Sequence, residues 1–236
     1  MLVHRIETWW QCLLNLFYPA VCLGCSTGLE TGEELLCTSC RLKLPLTDLH
    51  RPGQPGLLDT RFAGQEPVAF VYAYLFFQKK GLVQKLVHAL KYRQRQDVGL
   101  TLGKWYGRLL REETDLLERV DVVVPVPLHP ARLRQRGYNQ AACFAAGLTD
   151  VLPLPVLAQG LIRTRFTESQ TRKDRMNRWE NVRSVFSVPD ASALEGKRVL
   201  LIDDVLTTGA TLGACAETLL RAGCRSVGVI TLAATR

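Results

Sequence analysis

The sequence predicts an α/β protein in which a mostly parallel sheet is flanked by helices, with a small cysteine-rich module before it. Two observations carry this prediction. Short runs of branched apolar residues, at 120–126, 199–202 and 227–232, alternate with stretches whose apolar residues recur at helical spacing. In addition, two Cys-x-x-Cys pairs stand before the first of these runs.

Length and charge limit the classes of function. The 236 residues, 47% of them apolar, suffice for one α/β domain and a small additional module. Thirty basic and 22 acidic residues leave a formal net charge of +8. Such a charge favours phosphorylated partners, either small molecules or nucleic acid.

The first 21 residues predict an amphipathic helix rather than an export signal. Its apolar stripe, which stops at Pro19, comprises Leu2, Ile6, Trp9, Leu13 and Phe17. Glu7 and Asn15 interrupt the apolar stretch, which lacks a small-residue cleavage site and is too short to span a bilayer. We therefore expect a cytoplasmic protein without a membrane span, whose helix docks on the protein itself or, as the alternative, on a partner or membrane surface.

The cysteine pairs predict a structural zinc site. Cys22 and Cys25 form the first pair, and Cys37 and Cys40 form the second after a gap of eleven residues. Two closely spaced pairs of thiolates surround one Zn²⁺ tetrahedrally and leave no open coordination position. The alternative is disulfides or unrelated thiols, which a cytosolic protein disfavours.

Residues 51–66 are rich in proline and glycine and predict a linker. We therefore divide the chain into an N-terminal helix with its zinc module at 1–50, the linker at 51–66 and the main domain at 67–236. Within the main domain, 67–77 predicts a strand, and the following sequence predicts helices over 82–90 and 100–117.

A cluster of arginines follows the buried strand predicted at 120–126. Arg132, Arg134 and Arg136 lie in a stretch without acids before a helix that we expect to begin near Asn139. Guanidinium groups just beyond the carboxyl end of a strand suit a pyrophosphate, since their fork of donors matches its oxygens. The alternative interpretation is a solvated basic turn.

A polar segment at 163–183 separates strands expected near 157–162 and at 186–188. Its basic residues, among them Lys173 and Arg175, favour a mobile lid over the site at the sheet edge. The alternative is a surface for single-stranded nucleic acid, on which Phe166 and Trp179 stack bases.

Residues 199–212 predict a phosphate site. The apolar run at 199–202 reads as a buried strand that ends at Asp203 and Asp204, and ligands of open α/β sheets bind at that edge. Small and hydroxyl residues at 207–211 then lead into a helix, whose first amides and dipole favour an anion. Two carboxylates beside a phosphate imply sugar hydroxyls or Mg²⁺ as their targets. The alternative is two solvated aspartates before an ordinary capped helix.

The motif hydrophobic-Asp-Asp-Val-x-Thr-Thr-Gly-x-Thr resembles the 5-phosphoribosyl-1-pyrophosphate (PRPP) motif of type I phosphoribosyltransferases. Neither a Walker A loop nor a Gly-x-Gly-x-x-Gly fingerprint is present. The resemblance implies that PRPP is bound by Asp203, Asp204, Val205, Thr207, Thr208, Gly209, Ala210 and Thr211.

A wider set of motifs resembles the ComF family, which includes competence protein ComF and GntX-like proteins. The set consists of the cysteine pairs, Lys91-Tyr92, Pro-Val-Pro-Leu at 125–128, Arg-Gly-Tyr-Asn-Gln at 136–140, Gln170, Arg175, Asn181 and the PRPP motif. The resemblance implies a type I phosphoribosyltransferase-like domain behind a zinc ribbon-like module, and a link to natural transformation and DNA uptake.

If the chain is an enzyme, the resemblance implies transfer of phosphoribosyl from PRPP to a nitrogen acceptor with release of pyrophosphate. Asp203 and Asp204 would hold the ribose hydroxyls directly or through Mg²⁺, and Arg132, Arg134 and Arg175 would neutralise the pyrophosphate. The alternative function is a non-catalytic competence factor that binds single-stranded DNA or DNA-processing proteins through its basic arm.

Overall fold

The computed structural model describes residues 20–53, 57–62, 68–164 and 185–236. The chain divides into two compact units, Met1–Leu44 and Pro45–Arg236. The N-terminal helix predicted before Pro19 lies outside the described residues, as do most of the predicted lid and parts of the predicted linker. The domain ranges predicted above remain a proposal.

The smaller unit is organised around its cysteines. An antiparallel bridge joins Val21 to Gly28, and the amide of Cys22 donates to the carbonyl of Thr27 at 2.8 Å, which closes a tight turn. A short helix α1 (Thr38–Leu42) follows Cys37, which occupies its N-cap. Leu35 and Leu36 are buried and form the apolar support of these turns.

The elements of the larger unit in chain order are a 3₁₀ turn (Asp59–Phe62), β1 (Phe70–Phe77), α2 (Leu82–Tyr92), α3 (Gln96–Glu113), α4 (Leu116–Arg119), β2 (Val122–Pro125), α5 (Pro130–Arg136), α6 (Gln140–Thr149), β3 (Ile162–Arg163), β4 (Phe186–Ser187), β5 (Arg198–Leu206), α7 (Ala210–Arg221) and β6 (Ser226–Thr235). Four of these strands form a parallel sheet with the order β1-β6-β5-β2. The parallel sheet with flanking helices confirms the predicted α/β class.

Both faces of the sheet are covered, which explains the continuous apolar runs of its strands. Val199 and Leu201 of β5 share a buried cluster with Leu212, Cys215 and other residues of α7. The alternate residues of β5, Leu200 and Ile202, are fully buried and point to the opposite face, and α6 contacts both β5 and β2.

Two helices on this side approach each other backbone to backbone. A Cβ atom added to Gly147 of α6 would lie 2.1 Å from the carbonyl oxygen of Leu100 in α3. A Cβ atom on Gly103 of α3 would lie 2.5 Å from the carbonyl oxygen of Phe144. Glycine is therefore required at the crossing, because any side chain would separate the helices.

Several predicted boundaries were wrong. The helix expected over 100–117 runs from Gln96 to Glu113 and is followed by the separate short helix α4. Strand β5 does not end at Ile202 but continues to Leu206, because β6 supplies pairing partners as far as Ala234. The arginines after β2 lie on helix α5 rather than in a loop, since Pro130 and the cap by His129 begin a helix there. The strand expected near 157–162 contributes only an isolated bridge from Val156 to Val123 and the short β3, which pairs with β4 in a separate sheet.

Among the helices of the described residues, none combines the length and apolar character that crossing a membrane requires.

Candidate functional site

The two predicted carboxylates lie near the carboxyl end of β5, an interior strand of the sheet. Asp203 is half-buried and pairs with Thr231 of β6, whereas Asp204 retains only 8% of its accessible surface. Because successive residues of a strand point to opposite faces, the two carboxylates have different neighbours. The amide of Asp204 donates to Oδ1 of Asp203 at 2.8 Å.

Burial and the charge of Asp204 raise the pKa of Asp203 to about 7. Its hydrogen bond from the amide of Asp204 and the positive charges of Lys91 and Arg163 act in the opposite direction. Two adjacent acids at the edge of a buried sheet therefore require a neighbouring positive charge to remain ionised. This need fits a divalent cation or a cationic side chain.

One such side chain is Lys91, in the last turn of α2. Its Nζ atom lies 2.9 Å from Oδ2 of Asp204, and the two side chains are 22% and 12% exposed. In the sequence, Lys91 is part of a family motif and a basic residue at the end of a predicted helix, where it complements the helix C-terminus. Because the helix dipole alone explains a lysine in the last turn of a helix, the sequence offers no reason to expect a further partner. The ion pair with Asp204 is visible only in the tertiary structure.

The loop after β5 leads into the N-terminus of α7, as the motif predicted. Thr207, Thr208, Ala210 and Thr211 are exposed, whereas Gly209 is buried. The first backbone bond of this turn runs from the amide of Gly213 to the carbonyl of Gly209 at 2.8 Å. The first amides of α7 have no partner within the helix, and such amides are donors for an anion.

Gly209 fixes the shape of this loop. Its φ of +79° lies in the left-handed region, and a Cβ atom there would lie 2.7 Å from the carbonyl oxygen of Arg61. Arg61 is itself held by Thr235, whose hydroxyl and carbonyl oxygens accept from its guanidinium at 2.9 and 2.7 Å. Only glycine satisfies both the backbone angle and the close contact.

Helix α5 places two of the predicted arginines in different surroundings. Arg132 is half-buried and lines a cavity of about 430 Å³, whereas Arg134 is exposed and does not line it. The other lining residues are Lys91, Tyr92, Gln94, Gln135 and Arg136. The described lining is thus cationic and polar with one aromatic ring, and it contains no acid.

Hydrogen bonds from the segment after α5 tie this cavity to the sheet. The side-chain amide of Asn139 donates to the carbonyl of Val126 at 2.9 Å, while its oxygen caps α6 through the amide of Ala141. The hydroxyl of Tyr138 donates to the carbonyl of Leu90, the residue before Lys91. These bonds hold the last turn of α2 beside the end of β2, and they position Lys91.

Arg163 is a second cation near the carboxylates that the sequence did not single out by itself. It lies in β3 with its guanidinium 5.5 Å from the ring centroid of Phe186. Burial and the nearby Arg132 lower its pKa, whereas Asp203 raises it. Arg175 and Lys173, the predicted lid cations, lie outside the described residues.

The four cysteines of the smaller unit are brought together as predicted. The Sγ atoms of Cys22, Cys25, Cys37 and Cys40 all lie within 4.8 Å of one another, and those of Cys25 and Cys37 are 3.7 Å apart. A tetrahedral zinc with Zn–S bonds of about 2.3 Å separates its sulfurs by about 3.8 Å. The amides of Gly24 and Cys37 both donate to Cys22 Sγ at 3.3 Å, so the cluster fits a metal ion.

Hydrogen bonds also favour the thiolate form within this cluster. The hydroxyl and backbone of Thr27 lower the pKa of Cys25 to about 6. Burial and the neighbouring cysteines raise the pKa of Cys40 to about 12. A cation shared by the four sulfurs would relieve this conflict, because metal binding replaces the thiol protons.

Comparison with known proteins identifies similar chains. The phosphoribosyl transferase domain family matches residues 140–236. The DNA utilization protein YhgH of Salmonella typhi is 31% identical over 234 residues, which cover 96% of both chains. The competence protein F of Haemophilus influenzae is 30% identical over 151 residues, 63% of this chain and 66% of its own.

Among solved structures, glutamine PRPP amidotransferase from B. subtilis, complexed with ADP and GMP, is 26% identical. It covers 61% of this chain and 30% of its own, with a TM-score of 0.42.

Proposed function

Because this chain belongs to the ComF family of competence and DNA utilization proteins, with a phosphoribosyl transferase domain at 140–236, we propose that it binds PRPP. We further propose that it transfers the phosphoribosyl group to a nitrogen acceptor and serves DNA uptake. The acceptor nitrogen forms a bond to C1 of the ribose while the C1–O bond breaks. Pyrophosphate leaves with the bonding electrons, and the proton of the acceptor passes to solvent.

The observation that carries the proposal is the pair Asp203 and Asp204 beside the N-terminus of α7. The 5-phosphate would accept hydrogen bonds from the amides and hydroxyls at 207–211, where the helix dipole favours an anion. The two carboxylates would then accept from the ribose 2- and 3-hydroxyls. Val205, which directly follows the two carboxylates in the chain, belongs to the same motif.

Positive charge at the departing pyrophosphate is the second requirement of the reaction. Mg²⁺, when bound beside Asp203 and Asp204, would supply part of it, and adjacent acids with one raised pKa suit such a cation. Arg132 at the 430 Å³ cavity would supply another part, with Arg134 and Arg175 approaching from α5 and the lid. Losing one such electrostatic donor typically costs about 3 kcal/mol in the barrier.

The first experiment is calorimetry of PRPP with Mg²⁺ on the wild type and on Asp203→Asn combined with Asp204→Asn. We expect the double variant to remain folded and to lose PRPP binding. The matched control is Asp115→Asn with Asp150→Asn, which neutralises two exposed carboxylates, at the N-cap of α4 and the C-cap of α6, and should leave the affinity unchanged. An unchanged affinity in the folded Asp203/Asp204 variant would contradict the proposal.

The second experiment tests catalysis. Pyrophosphate release from PRPP, measured with magnesium over a panel of purine, pyrimidine and modified bases, should occur with at least one acceptor. Release that depends on a base supports the transferase activity. Silence across the panel, with PRPP binding intact, would favour a regulatory role for the bound PRPP.

We propose that the four cysteines hold one structural Zn²⁺, since four thiolates complete its tetrahedral coordination. We propose a cytoplasmic location, where thiols remain reduced and can bind a metal. On this proposal the chain consists of a zinc module at 1–50, a linker at 51–66 and a phosphoribosyltransferase-like domain at 67–236.

A second candidate is a non-catalytic competence factor that binds single-stranded DNA or DNA-processing proteins. The net charge of +8 and the names of the relatives, DNA utilization protein and competence protein, favour it. Gel-shift titration of a variant with reversed charges at Arg172, Lys173 and Arg175 tests whether the basic arm, the polar segment at 163–183, binds DNA. Retained DNA affinity in that variant would remove this role from the arm.

A further inference from the structure

We propose that Lys91 is the residue that discriminates PRPP from ribose phosphates without a pyrophosphate group. In the structure its ammonium pairs with Asp204, and on binding of PRPP it turns to the pyrophosphate. This inference rests on the proposed function, because it assigns a role within the same site. The role assigned to Lys91 is separate from that of Arg132 and Arg134, because Lys91 belongs to α2 and the two arginines belong to α5.

The position of Lys91 carries the first step of the argument. Its Nζ atom is 2.9 Å from Oδ2 of Asp204, and the same side chain lines the 430 Å³ cavity together with Arg132. Lys91 therefore stands between the carboxylates expected to receive the ribose and the cationic cavity beside them.

The limited exposure of the pair carries the second step. The Asp204 side chain is only 12% exposed, so a sugar hydroxyl that reaches it competes with the ammonium for the accessible oxygen. When the hydroxyl bonds to Asp204, the ammonium loses part of its interaction with that carboxylate, although the Lys91 side chain is only 22% exposed. An ammonium on a largely buried side chain needs a new counter-charge, and an anion entering the adjacent cavity provides one.

A flexible lysine suits this exchange. Its ammonium is a compact charge on a four-carbon stem with three donors, so it can leave one oxygen and reach another by rotation about side-chain bonds. The backbone of its helix stays in place, because Tyr138 donates to the carbonyl of Leu90. The exchange therefore requires no movement of α2.

The test compares PRPP with ribose 5-phosphate, which has the phosphate and the hydroxyls but lacks the pyrophosphate. In Lys91→Met, we expect the affinity for PRPP to fall about tenfold, which corresponds to about 1.4 kcal/mol. The affinity for ribose 5-phosphate should change less than about twofold. Lys91→Arg, which retains the charge, should restore most of the affinity for PRPP.

The matched control is Lys104→Met, because Lys104 pairs with Asp150 at the same 2.9 Å but on the exposed surface of α3. This control should leave both affinities unchanged. If Lys91→Met weakens the binding of PRPP and of ribose 5-phosphate equally, or changes neither affinity, the inference is overturned, because Lys91 then makes no specific contribution to pyrophosphate binding. Failure of the wild type to bind PRPP would instead refute the proposed function itself. Circular dichroism of each variant shows whether a change in affinity comes from loss of folding.

Discussion

The replacement of Gly209 by alanine tests whether a single close contact determines the shape of the proposed phosphate loop. The added Cβ would lie 2.7 Å from the carbonyl oxygen of Arg61, whereas ordinary contact begins at 3.4 Å. The carbonyl cannot retreat freely, because the guanidinium of the same residue is bound to Thr235 at two points. The new methyl group must therefore displace the loop or the 3₁₀ turn.

Gly137 offers a control with nearly the same backbone. Its φ and ψ are 79° and −17° at the C-cap of α5, compared with 79° and −12° for Gly209, but a Cβ atom there meets nothing within 4 Å. Alanine at Gly137 should cost only the left-handed penalty, about 1 kcal/mol. Alanine at Gly209 should cost about 3 kcal/mol, because overpacking adds about 2 kcal/mol.

Urea unfolding of the two variants measures this difference directly. Calorimetry at low temperature should then show that Gly209→Ala, while still folded, binds PRPP at least about tenfold more weakly, because the displaced loop no longer aims its amides at the phosphate. If both variants lose the same free energy of unfolding, the contact with Arg61 has no energetic weight and the reasoning about the loop is wrong.

Three further outcomes are expected. Gly147→Ala should lower the free energy of unfolding by about 3 kcal/mol, because the new Cβ would meet the carbonyl of Leu100. The control Ala146→Gly, at an exposed position of the same helix, should lower it by only about 1 kcal/mol. Equal losses of unfolding free energy in urea would contradict the contact. Burial lowers the pKa of His50 although Glu113 and Asp48 raise it and Arg51 also lowers it. As the pH falls, His50 is therefore protonated more readily in the unfolded chain than in the folded protein, so the melting temperature should fall below about pH 6.5. If His50→Gln shows the same dependence of melting temperature on pH, His50 is not its cause. Reduced protein should contain about one zinc per chain by metal analysis, and Cys25→Ser with Cys37→Ser should lose it; retained zinc would place the metal elsewhere.

Local patterns predicted the parts of the site that lie close together in the chain. The apolar residues before Asp203, and the small residues after it, already indicated the strand, the loop and the helix α7. The cysteine spacing likewise anticipated the cluster of four sulfurs. In both cases the determining contacts lie within about 20 residues of sequence, where turn and helix geometry limit the arrangement.

Contacts between distant segments could not be predicted in this way. The extension of β5 to Leu206 depends on pairing with β6, and the ion pair of Lys91 with Asp204 joins helix α2 to strand β5. A helix at α5 was within reach of the sequence, because Pro130 at its first position and the acceptor His129 before it are start signals. The density of arginines drew the interpretation toward a loop instead.

The strand order has a consequence for how the protein folds during synthesis. Strand β6 lies between β1 and β5, so until residues 226–235 have left the ribosome β1 is paired only on its other edge, through the bridge of Leu46 to Leu75. Until then β1 exposes an apolar, unpaired edge, which is a template for aggregation. We therefore expect the nascent domain to acquire its cooperative stability late, after translation of its final strand rather than segment by segment.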